Sequence, residues 1–285
     1  MDPTSLTPQT KTWDPTQYFR QEHTSPFALL ILNQPINERA YNVLKEHAKL
    51  TVCADGGANH FYEMMKARGR ENIGQIPNTI IGDLDSIHAD IRAHYEKLGV
   101  HVLEDADQYS TDFTKCLRYL SSYRAELTGQ PREALDVLIL GGLGGRVDQA
   151  FSQISHLYSM SRTFSSNAEE GGSEGNPLGN LYLISEESIT FILHPGENVI
   201  RTPGANRPGC GAEGHLLEEN VGIIPLSGPA RITTSGFQWD VEDWRTEIGG
   251  QLSTSNHIRA DVVSVKSAVP VLFTLELASR FKRAR

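Results

Sequence analysis

Short apolar runs closed by glycine or polar residues alternate with segments of helical spacing from Phe27 to Ser159. Phe27–Leu32, Thr51–Ala54, the run ending at Ile80-Ile81, Val100–Leu103 and Leu135–Leu140 read as strands buried on both faces. Asn37–Leu50 reads as a helix, with Ala40, Val43, Leu44 and Ala48 near helical spacing. Further helices are predicted from the Asp55-Gly56-Gly57-Ala58-Asn59 turn through Met65, over Ile87–Leu98, from Thr111 (as N-cap) through Leu120, and over Gln149–Ser159. Strands and helices in alternation predict a parallel sheet covered on both sides.

The pattern then changes. Ser165–Asn180 has the composition of a linker, and Thr202–Gly214 that of a flexible insertion. Leu181–Ile184, Ser188–Leu193, Val199–Arg201, Val221–Leu226, Ala230–Thr234, Leu252–Asn256, Ala260–Lys266 and Val271–Leu277 read as short strands. They predict an all-β sandwich or barrel from about Glu186. The expected division is an α/β domain over 22–185 and a β-domain over 186–285. Met1–Gln21 reads as a loose arm, and Arg280–Arg285 as a solvated basic end.

Composition narrows the function. The chain has 285 residues and a net charge of −9, which argues against a nucleic-acid binder but not against a nucleotide substrate. No apolar run is long enough for a membrane span, and the N-terminal stretch lacks the apolar core of a signal peptide. Cys53, Cys116 and Cys210 fit neither a metal knuckle nor a disulfide framework, so a cytoplasmic location is expected.

The chemistry gathers in loops after the strands. Ile80-Ile81-Gly82-Asp83-Leu84-Asp85-Ser86 puts two carboxylates at a strand's carboxyl end, where open α/β sheets bind ligands. Carboxylates so close need a cation, a partner or a shared proton. Mg²⁺, which favours carboxylate oxygen together with substrate phosphate, is the economical choice. The glycines of Asp55–Asn59 let backbone approach a ligand at a helix start. Asp112 and Lys115 share one helix face and could meet a metal and a phosphate together. Arg146 follows Gly141-Gly142-Leu143-Gly144-Gly145, where it could stabilise a transferring phosphoryl group. Walker, G-x-G-x-x-G, zinc and G-x-S-x-G patterns are absent.

Taken in order, these blocks resemble thiamine pyrophosphokinases. The similar segments are Cys53–Asn59, Gly82–Ile87, Asp107-Gln108 with Thr111–Lys115, and Gly141–Gln149, flanked by Asn33-Gln34-Pro35 and Ser253–Asn256. The resemblance implies a Rossmann-like ATP-binding domain, a β-sandwich, and a homodimer with thiamine bound between subunits. It implies transfer of pyrophosphate from ATP to the thiamine hydroxyl. It places Asp83, Asp85 and Asp112 at Mg²⁺, and Gln108 and Arg146 with them at the reacting centre. It assigns Asp55, Gly56, Gly57, Asn59, Thr111, Lys115, Gly142 and Arg146 to ATP, and Gln108, Trp239, Ser255 and Asn256 to thiamine. Two other readings remain open: a phosphatase of the haloacid-dehalogenase type with Asp83 as nucleophile, and a non-catalytic thiamine or nucleotide sensor.

Overall fold

The first strand-forming run, β2 (Phe27–Ile31), lies buried in the interior of the parallel sheet. A computed structural model describes residues 10–22, 25–71, 75–130, 133–169, 178–209 and 214–283. Beside β2 run β3 (Thr51–Ala54), β4 (Thr79–Gly82) and β5 (His101–Glu104) on one side. On its other side lie β6 (Leu135–Leu140) and β7 (Leu178–Ile184), all parallel, in the order β7-β6-β2-β3-β4-β5. Helices α1 (Glu38–Leu44), α2 (Gly57–Lys66) and α3 (Ala89–Lys97) follow β2, β3 and β4. Helix α4 (Asp112–Thr128) then carries the chain from the β5 edge back across to β6, and α5 (Val147–Glu169) follows β6. The winding direction therefore reverses between β2 and β6, which opens a crevice outside their carboxyl ends.

Strand alternation sorts side chains into two cores. Phe27, Leu29 and Ile31 join Tyr41, Phe61 and Tyr95 on the α1–α3 side. Ala28 and Leu30 join Phe113, Leu117 and Leu157 under α4 and α5.

The same sheet continues beyond β7 through antiparallel β8 (Ser188–Leu193), β15 (Val271–Leu277), β10 (Leu217–Pro225) and β13 (Ser253–His257), making ten strands. A second, five-stranded sheet orders β1 (Thr10–Trp13), β9 (Gly196–Arg201), β14 (Val262–Ser267), β11 (Ala230–Ser235) and β12 (Trp244–Thr246). Ile200, Val263, Val265 and Ile232 of this sheet share a core with Phe191, Phe273 and Leu275 of the larger one. The fold is thus mixed α/β with a later β-rich half, and the two halves share one hydrogen-bonded sheet through the β7–β8 pair.

Several expectations need correction. The N-terminal segment is not a loose arm from Thr10 on: β1 pairs parallel with β9, Trp13 stacks on Phe191 at 4.9 Å, and Tyr18 is buried against Phe27. Helix α1 stops at Leu44, because Lys49 N–H bonds to Phe27 C=O and Leu50 C=O accepts from Leu29, drawing the chain into the sheet. Helix α5 runs on to Glu169, and β7 begins at Leu178, so only 170–177 of the expected linker lie outside the described residues. The start of the expected insertion is packed. Thr202 and Ala205 are buried, and Asn206 N–H bonds to Leu217 C=O, whereas Cys210 lies outside the described residues. At the C-terminus Phe281 is buried against Phe19, and Arg283 pairs with Glu186. Among the described residues no helix is long and apolar enough to cross a membrane.

Candidate functional site

The site begins at the end of β3. Asp55 adopts φ 38° and is only 1 % exposed. Its two carboxylate oxygens accept the N–H groups of Ser86 and Ile87, each at 3.0 Å. Four residues on, Asn59 donates to Ser86 C=O at 2.9 Å and accepts His88 N–H at 3.0 Å. The Asp55–Asn59 segment therefore clasps the loop after β4 through four hydrogen bonds to its backbone. The glycines between serve close packing. A Cβ at Gly56 would stand 2.4 Å from the Asn33 amide, and one at Gly57 2.4 Å from Ile31 C=O. Burial pushes the Asp55 carboxyl up, the nearby Asp112 and Asp85 add to this, and the two backbone donors oppose it.

The clasped loop presents its acids. Carboxylate oxygens of Asp55, Asp83 and Asp112 lie within 4.8 Å of one another. Gly82 permits this closeness, since a Cβ there would fall 2.5 Å from Asp55 Cβ and 3.1 Å from Asp112 Oδ1. Asp112 opens α4 behind Thr111, whose hydroxyl caps the helix by accepting from Thr114 N–H. Asp85 stands apart from the trio: it is exposed and accepts the Ser86 hydroxyl at 2.8 Å. Leu84 between the two acids has φ 61°, so the extended alternation that would aim residues 83 and 85 alike is broken. Leu84 instead packs against the main core.

Lys115 completes the cluster. Its ammonium donates to Asp112 Oδ1 at 3.0 Å, and its side chain is 1 % exposed. Burial opposes its charge, but the Asp112 hydrogen bond and the Asp112, Asp83 and Asp105 charges outweigh it and raise its pKa. Three carboxylates against one ammonium leave a net charge of −2. All-oxygen donors with that charge suit a hard divalent cation.

The cluster borders a cleft of about 500 Å³ at the β2/β6 crevice, lined among others by Asn33, Gln34, Asp83, Gln108, Thr111, Asp112 and Arg146. Gln108 reaches Asp83 Oδ2 at 3.3 Å. The glycine-rich loop leads to Arg146 on the cleft, but its own residues 141–145 are not among those that line it. Gly141 has φ 72°, and a Cβ on it would lie 2.6 Å from Leu32 C=O. Gly142 abuts the side chain of Gln153, whose Oε1 accepts Leu143 N–H at 2.7 Å. Arg146 sits at the rim, 74 % exposed, with both forks on Asp148. An exposed pair of this kind is weak, so Arg146 can exchange it for an anion in the cleft.

The thiamine candidates lie elsewhere. Trp239, 54 % exposed, follows β11, and its backbone N–H and C=O pair with the Asn256 side chain at 3.2 and 3.0 Å. Ser255 beside it has φ 58°. Trp239 and Asn256 line a shallow recess of about 200 Å³ with Thr234, Val241, Trp244, Ser253 and Thr254. Strand β13, which carries Asn256, is at one end of the ten-stranded sheet, and β4, which leads to Asp83, is next to the other end. Eight strand spacings separate them, roughly 30–40 Å along the sheet. Within one chain the structure does not bring the two groups together.

Two contributors, Gln153 and His156, carry no signal in the sequence pattern. Gln153 braces the glycine loop. His156 of α5 lines the cleft, its ring nitrogens near the Thr111 and Thr114 hydroxyls at 3.0 and 3.4 Å, and burial lowers its pKa. Asn33 and Gln34, singled out in sequence only as part of a family-like segment after the first strand, also line the cleft.

Known proteins match this chain in both of its halves. The family profile described as thiamin pyrophosphokinase, catalytic domain, matches residues 41–167. The one described as thiamin pyrophosphokinase, vitamin B1 binding domain, matches residues 211–272. Thiamine pyrophosphokinase 1 of Arabidopsis thaliana is 31% identical over 263 residues, covering 88% of this chain and 86% of its own. The Saccharomyces cerevisiae enzyme is 28% identical, covering 82% and 79%. A solved thiamin pyrophosphokinase from Candida albicans superposes with a TM-score of 0.76 at 26% identity, over 95% of this chain and 94% of that one. With an acidic cleft in the first half and both family profiles matched in order, this chain belongs to the thiamine pyrophosphokinase family.

Proposed function

We infer that the chain transfers the β,γ-pyrophosphoryl unit of ATP to the hydroxyethyl oxygen of thiamine, giving thiamine diphosphate and AMP. The observation that carries this reading is the convergence of Asp55, Asp83 and Asp112 beside a cleft at the sheet's reversal point. The hydroxyl oxygen bonds to the β-phosphorus and loses its proton, while the bond from that phosphorus to the AMP oxygen breaks. Placement and charge neutralisation suffice for such a transfer.

Mg²⁺ is the proposed ion, since it takes carboxylates and substrate phosphates together. When bound, it would neutralise charge on the triphosphate. Asp83 and Asp112 would hold it, Asp55 would complete the cluster while fixing the loop, and exposed Asp85 is available on the open side. Gln108 would orient Asp83 and face the reacting centre. Thr111 would contact phosphate oxygens, Gly142 would serve ATP through the loop that sets Arg146 at the rim, and Arg146 would swing from Asp148 to the departing phosphate. Asn59, Gly56 and Gly57 would act on ATP through the loop they hold in place.

The proposed division of labour sets 22–185 at ATP and 186–285 at thiamine, with Trp239, Ser255 and Asn256 receiving thiamine. The span of the sheet then favours a homodimer in which the recess of one subunit closes the cleft of the other. Exposed Tyr109, Val147 and Phe151 give the first half an apolar surface for that contact. Family membership sets aside the phosphatase and sensor alternatives. The deciding experiment measures AMP release from ATP with and without thiamine. AMP formed only with thiamine supports the reading, and phosphate release independent of thiamine would defeat it.

A further inference from the structure

The lysine in the first turn of α4 does not sit where a phosphate-binding lysine should. Lys115 is not among the residues lining the cleft, although Thr111, Asp112 and Phe113 of the same turn are. Its ammonium is enclosed, with Asp112 Oδ1 at 3.0 Å and the charges of Asp83 and Asp105 acting on it. A lysine meant for a triphosphate tail needs a solvent path to it. This one is buried against Asp112 instead.

We propose that Lys115 is a positioning residue, the standing counter-ion of the Asp55–Asp83–Asp112 cluster, which holds Asp112 in place and keeps the acids assembled before the divalent cation arrives. The proposal rests on the metal-site reading above. Its physical basis is charge balance. Three carboxylates within 4.8 Å repel strongly in a partly buried site, and a single enclosed ammonium offsets one of them. The remaining charge of −2 still attracts a divalent ion. The ion then binds to a site already folded, and Lys115 moderates how tightly.

The test is Lys115→Met, which keeps the unbranched four-atom stem of the side chain and removes its charge. Thermal unfolding is followed in EDTA and in saturating MgCl₂, and MgCl₂ alone is titrated calorimetrically into each protein without nucleotide. In EDTA the midpoint of Lys115→Met should fall by roughly 6–15 °C, because one partner of a buried pair is gone. Saturating Mg²⁺ should restore most of that loss, and the variant should bind Mg²⁺ about tenfold more tightly than wild type. The double variant Asp112→Asn/Lys115→Met should recover most of the EDTA loss, which keeps the test decisive if the single variant does not fold. An equal fall with and without Mg²⁺ would mean a packing role only and overturn the proposal. Unchanged stability with a raised KM for ATP would overturn it too, and assign Lys115 to phosphate. If wild type shows no Mg²⁺ binding at all, the metal reading fails, whereas the double-variant arm still decides whether Lys115 balances Asp112.

Discussion

The acidic cleft and the Trp239 recess differ in how complete they are. Around the cleft, the chain itself fixes the acidic cluster: Asp55 and Asn59 hold the Ser86–His88 backbone, Gln108 reaches Asp83, and Lys115 holds Asp112. The recess is held just as firmly at its floor, where Asn256 pins both backbone groups of Trp239. Yet it is shallow, leaves half the indole in solvent, and at about 200 Å³ is smaller than pockets that enclose small molecules. One region is a finished electrostatic device. The other is open, as one wall of the proposed composite site would be.

The contrast can be attacked first where it is strongest. Asp83→Asn removes a carboxylate from the finished device and should lower kcat/KM by about 10²–10³ with folding intact. Steady-state AMP production at saturating Mg²⁺ checks this, and a rate near wild type would break the metal assignment. Trp239→Ala removes the half-exposed wall. A lost cation–π surface and its apolar contact should raise KM for thiamine by roughly tenfold to a hundredfold, with KM for ATP unchanged. A smaller gain tests whether the wall serves a second copy. Asp83→Asn and Trp239→Ala chains, unfolded and refolded together, should recover about one quarter of wild-type activity, because half the dimers then carry one intact composite site. Recovery no greater than the sum of the parents would place both walls in one subunit.

The smallest effect concerns the scaffold of the β-rich half. Burial and the Lys11 ammonium push the His194 imidazole down to about 4, and Lys11 lies 3.2 Å from its ring. The unfolded chain takes up that proton near pH 6.5, and the folded chain does not until about pH 4. Stability therefore falls as pH drops through this window, on the order of 2 kcal/mol after allowing for the ring's solvent contact. His194→Gln should flatten that part of the profile, as read by denaturant unfolding at pH 7 and pH 4.5. An unchanged slope would assign the acid sensitivity elsewhere.

Sequence legibility followed the same divide. Leu135–Leu140, Ser188–Leu193 and Val271–Leu277 were bounded as the structure has them, because turn residues flank continuous apolar runs. Thr111 was legible as an N-cap for the same local reason. Strand β1 was not, since Thr10–Trp13 has no strand-like run and is held by pairing with β9, nearly 190 residues away. Strand β12 is equally short and depends on β11.

By itself, the order of apolar runs and loops determined the alternating α/β half, the β-rich half and the loops that carry the acids, because those features depend on neighbours in the chain. Tertiary structure alone decided that Asp55 rather than Asp85 joins Asp83 and Asp112, that Lys115 turns inward, and that Trp239 lies far along the sheet from the cleft. Those outcomes depend on a left-handed Leu84, on burial and on strand order. Each is set by contacts between segments distant in sequence, which no local pattern encodes.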